Sequence, residues 1–289
     1  MQPQQLDIFD HSRDTVLCND VATALERRDP SGARLAQGTF AEEFPKHESL
    51  APLSVLVDAL EQRVAAPLQD HESLHEARRA LSEVIEPAAL RIFGKCAAAT
   101  WLIPLWREMA QRAAHLAFRS DRNDDHAAAL WLWAGDWSAA NDVVARIASW
   151  CRIPAPPAWM AEARYRLHDL DGAWGLLAEL AWLSPDRFDQ LTKRLADPLL
   201  ERLRKAFDAS FDGHGDVRDL AWFPAWVLTE KPSLSALLDQ AQRSLHTEAN
   251  RRCDCCWNFW VWSGRAGTTT WSRNARRCAM PMRRCMRPI

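Results

Sequence analysis

Glycine is scarce, with 10 in 289 residues. No phosphate-binding glycine loop, dinucleotide fingerprint or GxSxG elbow occurs, so the common nucleotide-binding and serine-hydrolase signatures are excluded. There is one Tyr, and β-branched runs with two-residue alternation are few, so strands have little support. No apolar run reaches about 18 residues, so no membrane span is predicted. The N-terminal stretch Met1-Gln-Pro-Gln-Gln-Leu-Asp lacks the basic and apolar regions of a secretion signal. A cytoplasmic location is therefore expected. What is present is ordinary for a folded chain: 48% apolar and 26% charged residues, which excludes wholesale disorder and collagen. The length suggests about two domains or one elongated domain.

A second absence is local. Residues 251–289 contain no Leu, Glu, Lys or Gln, whereas residues 1–250 hold 34 Leu. At that frequency about five Leu are expected in such a stretch. The segment instead carries five of the eight Cys, four of the fifteen Trp and nine Arg against one Asp. The chain is −2 overall and this tail is +8, which leaves residues 1–250 at −10.

Three readings compete for the tail. Cys253, Cys255, Cys256, Cys278 and Cys285 could supply thiolates to zinc, but no CxxC pair and no His accompanies them. Arg interleaved with Trp257, Trp260, Trp262 and Trp271 could form a nucleic-acid arm. The third reading, favoured by composition, is translation out of frame. Leu codons CTG-CTG-CTG followed by G, read one base late, become TGC-TGC-TGG. That spells Cys255-Cys256-Trp257. Shifting permitted codons for Cys253 to Ser263 back by one base yields Arg-Leu-Leu-Leu-Glu-Leu-Leu-Gly-Leu-Glu, a run of helix formers with a broad apolar face. On this reading residues 251–289 are disordered and non-native, residues 1–15 are a flexible N-terminus, and 16–250 form the folded domain.

That domain reads as successive helices. Leu53, Leu56, Val57, Leu60 and Val64 make one helical stripe, and Leu74, Ala77, Leu81, Val84 and Ala88 make another. Breaks are predicted at Asp29-Pro30, Pro45, Pro67, 120–125, 153–157, Ser184-Pro185 and 211–215. Helices of roughly 10–20 residues joined by short turns imply an all-α fold of packed antiparallel helices. Cys18, Cys96 and Cys151 are isolated and expected in the core.

An internal repeat runs through it. Asp29, Ala33, Phe40, Ala41 and Pro45 align with Asp169, Ala173, Leu180, Ala181 and Pro185. Asp136, Ala140, Ile147 and Ala148 have the same spacing, with Arg152 in the Pro place. The Asp is placed to cap a helix, the Ala to allow close helix approach, the next large residue to fill the core, and the Pro to stop the helix. With these residues the chain resembles the tetratricopeptide-repeat (TPR) family. The helix-A Gly of that family is replaced by Val21, Ala128 and Ala161, and the resemblance covers residues 17–45 and 126–185. It implies a TPR-like α-solenoid of stacked helix pairs that binds other proteins. A protein partner and no resident cofactor are then expected, and the net −10 makes nucleic acid an unfavourable partner.

Two features could carry function. Trp131, Trp133 and Trp137 lie in a Trp-rich stretch that mostly fills core, yet Trp131 and Trp133 cannot share one helix face. One of them is positioned to reach a binding groove, where Trp is a favoured anchor. The second feature is His71-Glu72-Ser73-Leu74-His75, which matches HExxH. In zinc peptidases, which it resembles over five residues, His71 and His75 would ligate zinc and Glu72 would act as general base. A zinc-dependent hydrolase is therefore the alternative to a non-catalytic scaffold. Glu76 stands directly after the second His, and Asp70 puts His71 in a first turn. Glu83 and Glu86 lie along the same helix, so neither folds back as a third ligand unless that helix breaks.

Overall fold

A computed structural model of the chain describes residues 7–62, 66–211, 213–234 and 238. The tail from residue 251, the greater part of the 233–247 helix expected before it, and Val64 lie outside the described residues. Every described element is helical, and no strand occurs among the described residues. The chain divides into two compact units, Met1–Asp136 and Trp137–Ile289.

The first unit holds α1 (Asp7–Glu26), α2 (Pro30–Glu43), α3 (Leu50–Glu61), α4 (His71–Ala80), α5 (Glu86–Arg112) and α6 (Ala127–Trp133). α1 starts at Asp7, ahead of the expected position 16. It ends in a Schellman turn: Arg28 has φ 54°, its N–H donates to Leu25 O, and the Asp29 N–H donates to Ala24 O. That pattern satisfies orphan carbonyls of the last turn. Asp29 then caps α2 by accepting from Gly32 N at 3.0 Å. Gly32 suits that place because a Cβ there would lie 2.3 Å from the capping carboxylate. Ala33 and Phe40 of α2 are fully buried, as the repeat pattern requires. α1 contacts α2 and α3, and α5 touches all three of α1, α3 and α6. Trp101 of α5 donates its indole N–H to Leu25 O at 3.0 Å, and the Arg28 guanidinium lies over the same ring. The end of α1 is thereby tied to α5.

The stripe of α3 is buried as predicted at Leu53, Leu56, Val57 and Leu60. The stripe beginning at Leu74 is interrupted. Leu74 and Leu81 are buried, but Val84 is 52% exposed. The cause is a π-helical turn over Leu81–Ile85, which takes up an extra residue and rotates the turns beyond it. Ala88 and Ala89 then face the core. A second break, absent from the predicted set, falls at Gly94 inside α5, with φ 72° and ψ 171°. The helical stretch His71–Arg112 is long and apolar enough to cross a membrane by length and composition, although no unbroken apolar run within it reaches about 18 residues. Its Trp101, Leu102, Trp106, Met109 and Ala110 are buried within the unit.

The second unit holds α7 (Trp137–Ala145), α8 (Ala155–Leu183), α9 (Pro185–Leu195), α10 (Pro198–Ser210) and α11 (Phe223–Glu230), with a 3-10 turn at Val217–Trp222. α8 is broken at His168 and Asp169, where φ and ψ reach 58° and −161°, at the turn position that the repeat assigns to Asp169. Ala173, Leu180 and Ala181 are fully buried. In α7 Ala140 is fully buried, but the helix ends at Ala145. Ile147 is therefore half-buried in a turn and does not fill the core as expected. Helix starts track the sequence closely: Pro occupies the first turn of α8, α9 and α10. Asp197 caps α10 through Leu199 N and Leu200 N and accepts the Tyr165 hydroxyl at 2.9 Å.

An aromatic core closes this unit. Phe223 lies 5.5 Å from Phe207, 5.6 Å from Phe188, 6.2 Å from Trp226 and 6.5 Å from Trp174, centroid to centroid. Pro232–Leu234 form a short 3-10 turn in place of the helix start expected at Ser233. Among the three isolated cysteines, Cys18 and Cys151 are half-buried and Cys96 is exposed, so Cys96 is not the core residue expected.

Candidate functional site

The HExxH segment opens α4. Asp70 caps the helix, accepting from Ser73 N at 2.8 Å while Ser73 Oγ bonds back to the Asp70 backbone. Hydrogen bonding from Ser73 to the Asp70 side chain, that of its backbone N–H largest, holds the carboxyl below its ordinary value. This reciprocal capping places His71 at the first helical position and sends His75 and Arg78 along the same side, at i+4 and i+7.

That side meets the segment joining α5 to α6. His71 Nε2 lies 2.8 Å from the Ala117 carbonyl oxygen. A carbonyl only accepts, so Nε2 carries the proton. Glu72 pairs with Arg122 at 2.7 Å. His75 Nδ1 lies 2.9 Å from one Asp125 oxygen, and Arg78 Nε donates to the other at 2.7 Å. The Asp125 side chain is 4% exposed, so both of its oxygens are used inside the protein. Next to it, His126 is buried and caps α6, its Nδ1 accepting from Ala128 N at 3.2 Å. Burial, and then the nearby His71, push the His126 ring down from 6.5 to about 4.

His71, Glu72 and His75 thus each have a partner on the 117–125 segment, whereas Glu83 pairs with Arg79 one turn before it. His71 engages the segment through Nε2 and His75 through Nδ1, towards different acceptors. Among the described residues no group of three His, Cys, Asp or Glu side chains is arranged to hold a metal ion. Arg78, Asp125 and His126 were not singled out from sequence. The available signal was the i, i+4, i+7 spacing of His71, His75 and Arg78, which puts three polar side chains on one helix face.

The candidate anchor tryptophans divide between the units. On α6, Trp131 is half-buried and Trp133 is 42% exposed. The Trp133 ring lies 4.8 Å from that of buried Trp106. Trp133 is thus the one that reaches the surface of its unit. Trp137 starts α7 in the second unit, where Arg166 lies over its ring at 5.7 Å. Trp159, Trp174 and Trp182 are buried.

The second unit also contains a cavity of about 460 Å³ bordered by α9, α10 and residues 213–220. Asp189 in its wall accepts from Lys193 at 2.6 Å and from Arg204 at 2.7 Å. Burial raises the Asp189 carboxyl, but those two bonds outweigh it and hold the group below its ordinary value. Arg204 also pairs with Asp208, and buried Asp219 accepts from Gly215 N at 2.7 Å. Gly213 approaches so closely that a Cβ would lie 2.3 Å from that carboxylate. Asp219 therefore shapes the 213–216 turn, and the wall's cations are matched by its own carboxylates. Asp212, within the break predicted at 211–215, lies outside the described residues. Comparison with protein-family models, with curated proteins and with solved structures found no match.

Proposed function

We propose that the chain is a non-catalytic protein-interaction scaffold, a divergent TPR-like array of antiparallel helix pairs. The observation that carries this reading is the turn geometry at the repeat positions. Arg28 and Gly135 both have positive φ. Asp29 and Asp136, the next residues, both donate to the carbonyl five back, at Ala24 and Trp131. Four residues after each Asp stands a fully buried Ala, Ala33 or Ala140. The third copy keeps the buried Ala173 but has its positive φ on Asp169 itself. Two turns of one design, each leading to the same small buried residue, support a repeated helix-turn-helix unit. In such arrays the exposed faces bind other proteins.

The partner is a protein with basic and apolar surface. Residues 1–250 carry −10, which attracts a basic partner in a salt-dependent way, and Trp133 supplies an exposed aromatic anchor. The test combines two measurements. A partner captured from native extract is purified, and its affinity is measured against salt with the natural chain and Trp133→Ala. Metal content of the purified chain is determined in parallel. A stoichiometric partner that weakens with salt and with the substitution supports the scaffold. Stoichiometric zinc that is lost in His71→Ala replaces it with the hydrolase reading.

A further inference from the structure

We infer that residues 113–126 form an acid-releasable strap on the first unit, locked by neutral His126 and freed from α4 when that ring takes a proton. The strap leaves α5 after Arg112 and re-enters helix at Ala127. Its own backbone bonds are short-range turns, such as Leu116 N to Ala113 O and Asp125 N to Arg122 O. Polar contacts tie it to α4: Ala117 O on His71, Arg122 on Glu72, and Asp125 on His75 and Arg78. A segment with few buried apolar anchors and local hydrogen bonds opens at lower cost than the helices beneath it.

His126 is the part of this hold that must stay neutral. Its Nδ1 accepts the Ala128 N–H, so a proton on Nδ1 sets two donors against each other and removes the α6 cap. The ring is 4% exposed, with the Phe118 ring edge-on at 5.6 Å. After burial, the titratable group acting on it from α4 is His71, which also disfavours the charged ring. The adjoining carboxylate of Asp125 is already held by His75 and Arg78. The folded ring therefore titrates at about 4 against 6.5 when free. Protons bind the open strap more tightly across that interval, and opening grows about 20-fold between pH 7 and pH 5. Release uncaps α6 and separates Glu72 from Arg122, and His75 and Arg78 from Asp125, changing the charge pattern on this face.

Hydrogen exchange of the full chain tests the idea. Exchange in peptides covering 113–130 is compared at pH 7 and pH 5 after correction for the intrinsic rate. Protection there is expected to fall about 20-fold while 86–112 is unchanged. In His126→Asn, whose side-chain oxygen can still cap α6 but does not titrate, the fall should be absent. An equal fall in both chains overturns the strap, as does no fall in the natural chain or a concerted loss through α5. NMR titration of His126 in the unsubstituted chain is a second readout, and a ring that titrates at 6.5 or above also overturns it.

Discussion

Phe223 offers the sharpest test of how the second unit is held together. It is 1% exposed and touches four aromatic rings at 5.5 to 6.5 Å. Those rings come from α8, α9, α10 and α11, so one side chain joins four elements. Truncation to Ala removes about 1.5–3 kcal/mol of apolar transfer energy and leaves a cavity whose lining loses its dispersion contacts. Phe-to-Ala changes of this kind cost about 3–5 kcal/mol in total. The upper part of that range is expected here, because ring pairs contribute about 0.5–1.5 kcal/mol beyond area. Phe223→Leu keeps much of the volume and should cost about 1–1.5 kcal/mol. Urea unfolding monitored by tryptophan fluorescence reads both, since Trp174 and Trp226 adjoin the site. With a slope of about 2 kcal/mol/M, the midpoint should fall by about 2 M for Ala and about 0.6 M for Leu. A loss under about 1 kcal/mol for Phe223→Ala at unchanged slope would refute the docking of residues 217–230 on α8, α9 and α10.

Buried groups and the coding sequence give further expectations. His126 has its folded value lowered from 6.5 to about 4. The unfolded chain therefore binds more protons in that interval, and stability is full above 6.5 and is lost as pH falls towards 4. The loss is about 3 kcal/mol, and a melting-temperature series from pH 7 to pH 4 should show it in the natural chain and not in His126→Asn. Asp125→Ala leaves Arg78 and His75 without their acceptor; it should destabilise the first unit by about 2–4 kcal/mol in denaturant titration, and a neutral outcome would contradict the packing of Asp125 against His75 and Arg78. Ala173→Leu places a large side chain at a fully buried site and should cost about 1–3 kcal/mol by overpacking, so an unchanged melting temperature counts against the repeat register. Restoring the reading frame by one base near codons 248–256 should replace the Cys- and Trp-rich tail with a Leu-rich one and raise solubility and melting temperature. A restored chain no more stable than the present one would remove the frameshift account.

Local chemistry alone determined where several helices begin. Pro in a first helical position, with Asp or Ser before it, marked Asp29-Pro30 and Ser184-Pro185, because Pro lacks the N–H that a first turn leaves unsatisfied. The stripe of Leu53, Leu56, Val57 and Leu60 was legible because apolar residues spaced three and four apart share a face. The acidic body and the Leu-free tail were read from composition, which needs no fold at all. Tertiary structure decided the rest. The π turn at Leu81–Ile85 interrupts an otherwise regular stripe, and the break at Gly94 falls on a lone glycine, which a helix can equally carry unbroken. The partners of His71 and His75 stand 46 and 50 residues further along the chain. Spacing can place two imidazoles on one helix face, but whether that face meets a metal or a loop depends on where distant chain packs. Here it meets Ala117 and Asp125, because α5 carries the 113–126 segment back to the start of α4.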